Sequence, residues 1–165
     1  MKILPRYFYK HFIYSGFIVG GLVLALSSCT TKPNSDIDTP EYHYKAGMRQ
    51  IEMQQYSDAK ISFQRSIDLD KKFTPGYCGL GLAHAHLGNK KEAKKLVNKA
   101  EGMAERNPDL LTLCARVWIT LRNEDKRWHK NAEKLLKKAL KREKNHEGAL
   151  YYTGEMQLYK HEFSH

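Results

Sequence analysis

Long apolar runs are nearly absent from this chain. Phe17 to Leu26 (FIVGGLVLAL) is the longest without a charge, about ten residues where a membrane-spanning helix needs roughly 20. The short motifs of chemistry are missing too: there is no Gly-rich phosphate loop, no Cys-x-x-Cys and no His-Glu-x-x-His. His84 and His86 are the histidines nearest each other in sequence. On a helix they point about 200° apart, so they cannot share a metal. No Ser, Cys or Asp nucleophile has a recognisable partner. The expectation is a protein that is not an enzyme, with no catalytic residue, no metal and no cofactor. Tryptophan occurs only twice, and a polysaccharide site would want stacked Trp beside carboxylates. Trp118 follows a core pattern and Trp128 falls in a turn. Acids are outnumbered, 18 against 28 Lys and Arg, which gives a net charge of +10. With 41% hydrophobic and 28% charged residues in 165, the chain can bury one core and is not disordered by composition.

Residues 1–28 read as an export signal. Lys2, Arg6 and Lys10 precede the apolar run, and no acid lies among them. Leu26-Ser27-Ser28-Cys29 then resembles the lipobox of bacterial lipoproteins: a branched apolar residue, two small residues, then cysteine. The resemblance implies that Cys29 takes a diacylglyceryl thioether and becomes the acylated N-terminus. Each buried methylene of such an anchor contributes about 0.8 kcal/mol. Thr30, in place of an aspartate, favours the outer membrane, facing the periplasm. Residues 29–40 carry the lipid site and a polar tether with two prolines, so the folded body works close to the membrane.

The remaining chain repeats at 34 residues: Gly47 recurs as Gly81, and Ala59 as Ala93. Helix starts recur as Thr39-Pro40, Thr74-Pro75 and Asn107-Pro108. Each offers a capping side chain before a proline at the first helical position, where a missing N–H costs nothing. The pattern resembles the tetratricopeptide repeat (TPR). That resemblance implies an all-α, right-handed α-solenoid of about three helix-turn-helix repeats plus a C-terminal capping helix. The TPR domain would span 41–162, in units of about 40–73, 74–107 and 108–146 with a solvating cap over 147–162. Small residues, Gly47, Gly81, Ala115 and Gly154, sit where the two helices of a repeat cross. Ala59, Ala93 and Ala132 face them, and Phe63, Val97 and Leu136 fill the core. The third unit carries about five extra residues in its turn, within 123–129.

In this family the first helices line a concave groove. Carried over, the groove residues are Tyr44, Met48, Ile51, Leu82, His86, Arg116, Ile119 and Tyr151. Apolar and aromatic groups dominate, so the implied partner is a protein or peptide segment, apolar or amphipathic. The lysine, asparagine and arginine clamp that holds acidic tails elsewhere in the family is absent, and Arg116 is the one cation left. A second surface is basic. Residues 90–144 hold 17 Lys and Arg against 8 Asp and Glu, and Lys94, Lys134, Lys137 and Lys141 mark the second helices, on the convex face. It is read first as a solvated face with helical pairs such as Glu133–Lys137, and otherwise as a site for anionic lipid or an acidic partner. Nucleic acid is not expected. Cys78 and Cys114 fall on neighbouring first helices and are expected as two buried thiols. The function implied is a membrane-anchored adaptor in envelope assembly, whether of pili, secretion pores or outer-membrane proteins. The alternative is an accessory that binds a cell-wall or polysaccharide ligand. Nothing in the sequence sets the oligomeric state.

Overall fold

The computed structural model describes residues 38–162; the expected lipobox and export signal lie outside them. Among the described residues there are seven helices and no strand. They are α1 (Pro40–Glu52), α2 (Tyr56–Leu69), α3 (Thr74–His86), α4 (Lys90–Ala104), α5 (Pro108–Thr120), α6 (Trp128–Arg142) and α7 (Glu147–Glu162). Each odd helix through α5 packs on the even helix after it. α3 also touches α1, α2 and α5, and α7 rests on α5 and α6. The described residues therefore form an all-α stack of helix hairpins in which each pair buries its face against the next.

Local chemistry sets the helix starts. Thr39 Oγ1 accepts the Tyr42 N–H at 3.1 Å, and Asn107 Oδ1 accepts the Leu110 N–H at 3.1 Å. The third start departs from the expected pattern. Thr74 is buried inside α3, and its hydroxyl turns back to donate to the Lys72 carbonyl at 3.5 Å, so Phe73 precedes the helix without a side-chain cap. The last helix starts at Glu147 as expected, on a cap that the sequence reading did not name. His146 Nδ1 accepts the Ala149 N–H at 3.0 Å, which caps α7. Its other nitrogen must then carry the proton, and it donates to Asp109 at 3.0 Å.

The turns inside the first two pairs repeat atom for atom. Gln55 N–H bonds the Gln50 carbonyl, and 34 residues on Asn89 N–H bonds the His84 carbonyl. Both turns need a left-handed residue: Gln54 at φ 60° and Gly88 at φ 72°. The third turn is longer. Asp125 folds inward there, buried, its carboxylate held by Lys94 of α4 and by the Arg127 N–H at 2.8 Å.

The core runs along the stack through Phe63, Val97 and Leu136, each 1% exposed or less, against Ala59, Ala93 and Ala132. The tightest crossing is not at Gly81, where an added β-carbon would find ordinary contacts at 3.5–3.6 Å. It is at Phe63, whose ring lies against both Gly47 and Gly79. Gly154, at the equivalent place on α7, meets nothing within 4 Å. α7 is also less polar than a solvating cap should be, since it exposes Leu150, Tyr151 and Leu158.

Candidate functional site

The first helices α3, α5 and α7 enclose a cavity of about 500 Å³ at the C-terminal ends of α3 and α5. Its lining is aromatic and of mixed charge, with Glu124 and Glu155 beside two arginines. Arg116 comes from α5 and Arg122 from the turn beyond it; His86 comes from α3, and Tyr151, Tyr152 and Glu155 from α7. Among the described residues no carboxylate bonds either guanidinium. Arg122 instead lies 4.2 Å from the ring centre of Tyr159. His86 stacks flat on Tyr56, with ring centres 4.3 Å apart and planes 1° from parallel. Loss of water on that face, then the charges of Arg116 and Arg122, lowers the His86 pKa from its ordinary value. His86 is thus neutral at pH 7 and adds no charge of its own. Burial raises the Tyr152 phenol, and Arg116 opposes that shift.

A second cavity, about 800 Å³, lies at the opposite end of α5. Tyr44 and Thr112 form part of its wall, with acids at Asp109, Glu143 and Glu147. Tyr44 packs on Phe63 and Phe73 at 5.9 and 6.0 Å between ring centres, and burial above all pushes its phenol up to about 12. The face of the first helices therefore has an end of mixed charge that holds the two arginines and an acidic end, with tyrosines at both.

The expected groove residues divide. His86, Arg116, Ile119 and Tyr151 line the first cavity, and Tyr44 lines the second. Met48 is half-buried against the core. Leu82, Ile51 and Ile119 are 0%, 5% and 2% exposed, so their side chains are core and offer no apolar anchor to a partner. The reason is packing: α3 has neighbours on every side, and a side chain at Leu82 closes against the adjacent first helices before it reaches solvent. Arg122 was missed. It lies six residues beyond Arg116, which in a continuous helix would turn it off the groove; α5 ends at Thr120, and the turn brings it back. The open surface is consequently more polar than an apolar groove.

The basic face is partly neutralised. Lys94 points inward to Asp125. Lys134 lies 3.5 Å from Glu101, and Lys137 lies 2.7 Å from Glu133. Lys141 stays exposed beside Lys138 and Arg142. Trp118 is buried and Trp128 packs edge-on against Tyr159, so neither offers a stacking platform to a sugar.

Residues 74–107, which form α3 and α4, match the tetratricopeptide repeat family. The fold is an α-solenoid of TPR repeats. Among solved structures the chain is similar to the Arabidopsis OM64 TPR domain, with a TM-score of 0.54 and 17% identity, over 75% of this chain and 98% of that one. A comparison with curated proteins finds no match. TPR repeats in general are protein-binding modules and generally not enzymes.

Proposed function

We propose that this chain is a lipid-anchored adaptor that holds an amphipathic segment of a protein partner across the first-helix face of its TPR stack, in assembly work at the cell envelope. The observation that carries it is the open cavity between α3, α5 and α7, with two arginines that no carboxylate in the described chain satisfies. A half-buried guanidinium without a carboxylate partner can take an acceptor, and an acidic side chain or chain carbonyl of a partner supplies one. Tyr151, 67% exposed, and the half-buried Tyr152 and Tyr44 give apolar contact with polar tips, the residue type that carries binding energy at interfaces. The acidic end at Asp109 and Glu147 suits a basic residue in the same segment. So the partner segment is amphipathic, and acidic where it meets Arg116 and Arg122. The anchor on Cys29 and the outer-membrane location rest on the lipobox resemblance; pili, secretion pores and outer-membrane proteins are the machines such an adaptor serves.

The basic second-helix face is the weaker candidate for anionic lipid or an acidic partner, because Lys94, Lys134 and Lys137 already have carboxylate partners. A polysaccharide ligand is weaker still without an exposed tryptophan. The test is capture from a solubilised envelope fraction with the full chain and with a Tyr151→Ala, Arg116→Ala variant. A protein retained by the first and lost by the second supports the adaptor reading, and equal retention by both overturns it.

A further inference from the structure

Cys78 of α3 and Cys114 of α5 are both fully buried, and their sulfurs lie 3.3 Å apart. Sequence spacing argued against such an approach, since helix axes pack 8–10 Å apart while a bridge needs α-carbons within about 7 Å. The side chains close the gap because both point into the same α3–α5 seam. They are the free cysteines of the described chain, 36 residues apart in sequence, and one lies in each of two successive repeats. We propose that Cys78 and Cys114 are an intramolecular disulfide site that ties the second repeat to the third beneath the groove.

Little has to move. The sulfurs are already in contact, and bond formation needs them at about 2 Å, a shift that side-chain rotation and slight seam closure supply. The oxidant is a disulfide, either a small one or that of a dithiol oxidase. One cysteine loses its proton and attacks the oxidant, giving a mixed disulfide and one released thiol. The second cysteine loses its proton, displaces the remaining oxidant sulfur and closes the bridge. Two cysteine thiols become one disulfide, and the oxidant disulfide becomes two thiols. The contact with Cys114 first, and burial second, raises the Cys78 pKa, so the closed core keeps Cys78 as a neutral thiol. Exchange therefore happens while the chain folds, or when the α3–α5 seam opens. An exported chain meets such oxidants as it folds, but the inference rests on core geometry alone and stands whether or not the groove reading does.

The test uses the full chain carrying Cys29→Ser, so that the two core thiols are the only ones present. It is refolded with oxidised glutathione or with excess dithiol reductant, alkylated in denaturant and mapped by peptide mass. The expected result is a peptide linking Cys78 to Cys114, lighter by two hydrogens and unalkylated, and a melting midpoint roughly 5–15 °C above that of the reduced chain. Adding Cys114→Ser should abolish the response to oxidant. Recovery of both cysteines alkylated from the oxidised sample would overturn the proposal. So would a linked chain that melts below the reduced one, since the bridge would then belong to a distorted core.

Discussion

The ring of Phe63 lies against the α-carbons of two glycines on different helices, Gly47 of α1 and Gly79 of α3. A β-carbon on Gly79 would come within 2.7 Å of Phe63 Cζ and closer still to the ring edge. The ring cannot yield, because Gly47 flanks it on another side with a corresponding approach of 2.7 Å. Gly79→Ala should therefore destabilise the stack by about 1–3 kcal/mol through overpacking. Gly81→Ala, with contacts at 3.5 Å or more, should be neutral or stabilising by up to about 1 kcal/mol from helix propensity. Urea unfolding of the two variants decides it, and equal losses would contradict the packing described.

The first two turns give a prediction of opposite sign. Gln54 holds a left-handed conformation that Gly88 occupies 34 residues later. A side chain there costs about 1 kcal/mol. Gln54→Gly should raise the thermal midpoint, and Gly88→Ala should lower it by a comparable amount. The check is thermal melting by circular dichroism.

Asp125 links stability to pH. Its bond to Lys94 lowers its pKa, against the opposing effect of burial. The folded value thus lies below the unfolded one, about 3.9. Its contribution is complete above that unfolded value and is lost as pH falls through the lowered folded value. Asp125→Asn should cost about 1–2 kcal/mol at pH 7. The gap to the parent chain should shrink below about pH 4. Denaturation at a series of pH values measures it; a gap that stays constant would contradict the pairing.

The anchor is testable without reference to the fold. Cys29→Ala should leave an uncleaved precursor and abolish palmitate labelling. Normal processing and labelling of that variant would end the lipidation reading.

Much of the fold was legible because its determinants are local and periodic. The 34-residue recurrence of Ala59 and Ala93, and the Pro40 and Pro108 helix starts, are visible along one strand of text. What was not legible depends on contacts far apart in sequence. Thr74 looks like a cap until its burial turns the hydroxyl inward. Lys94 looks solvated until an inserted turn 31 residues later delivers Asp125 to it. Leu82 occupies a groove position by counting, yet the adjacent helices close over it. Gly81 recurs at the repeat period, while the glycine that must be bare, Gly79, is chosen by where Phe63 points. His146 as a cap carries no common sequence signal at all. The exposure of the candidate site was not legible for the same reason: positions on the groove face can be counted, but how far each is open is decided by neighbouring repeats.

The most direct measurement compares two surfaces for one captured partner. The groove variant is Arg116→Ala with Tyr151→Ala, and the second-helix variant is Lys138→Glu with Lys141→Glu. Both alter exposed or half-buried positions, so matched melting midpoints confirm that folding is intact. Affinity is then read by titration of the purified partner. The account predicts that the groove variant loses at least about thirtyfold, equivalent to about 2 kcal/mol, while the charge-reversal variant stays within about threefold of the parent chain. Full affinity in the groove variant, with loss confined to the Lys138 and Lys141 reversal, would contradict it and move the function to the basic face.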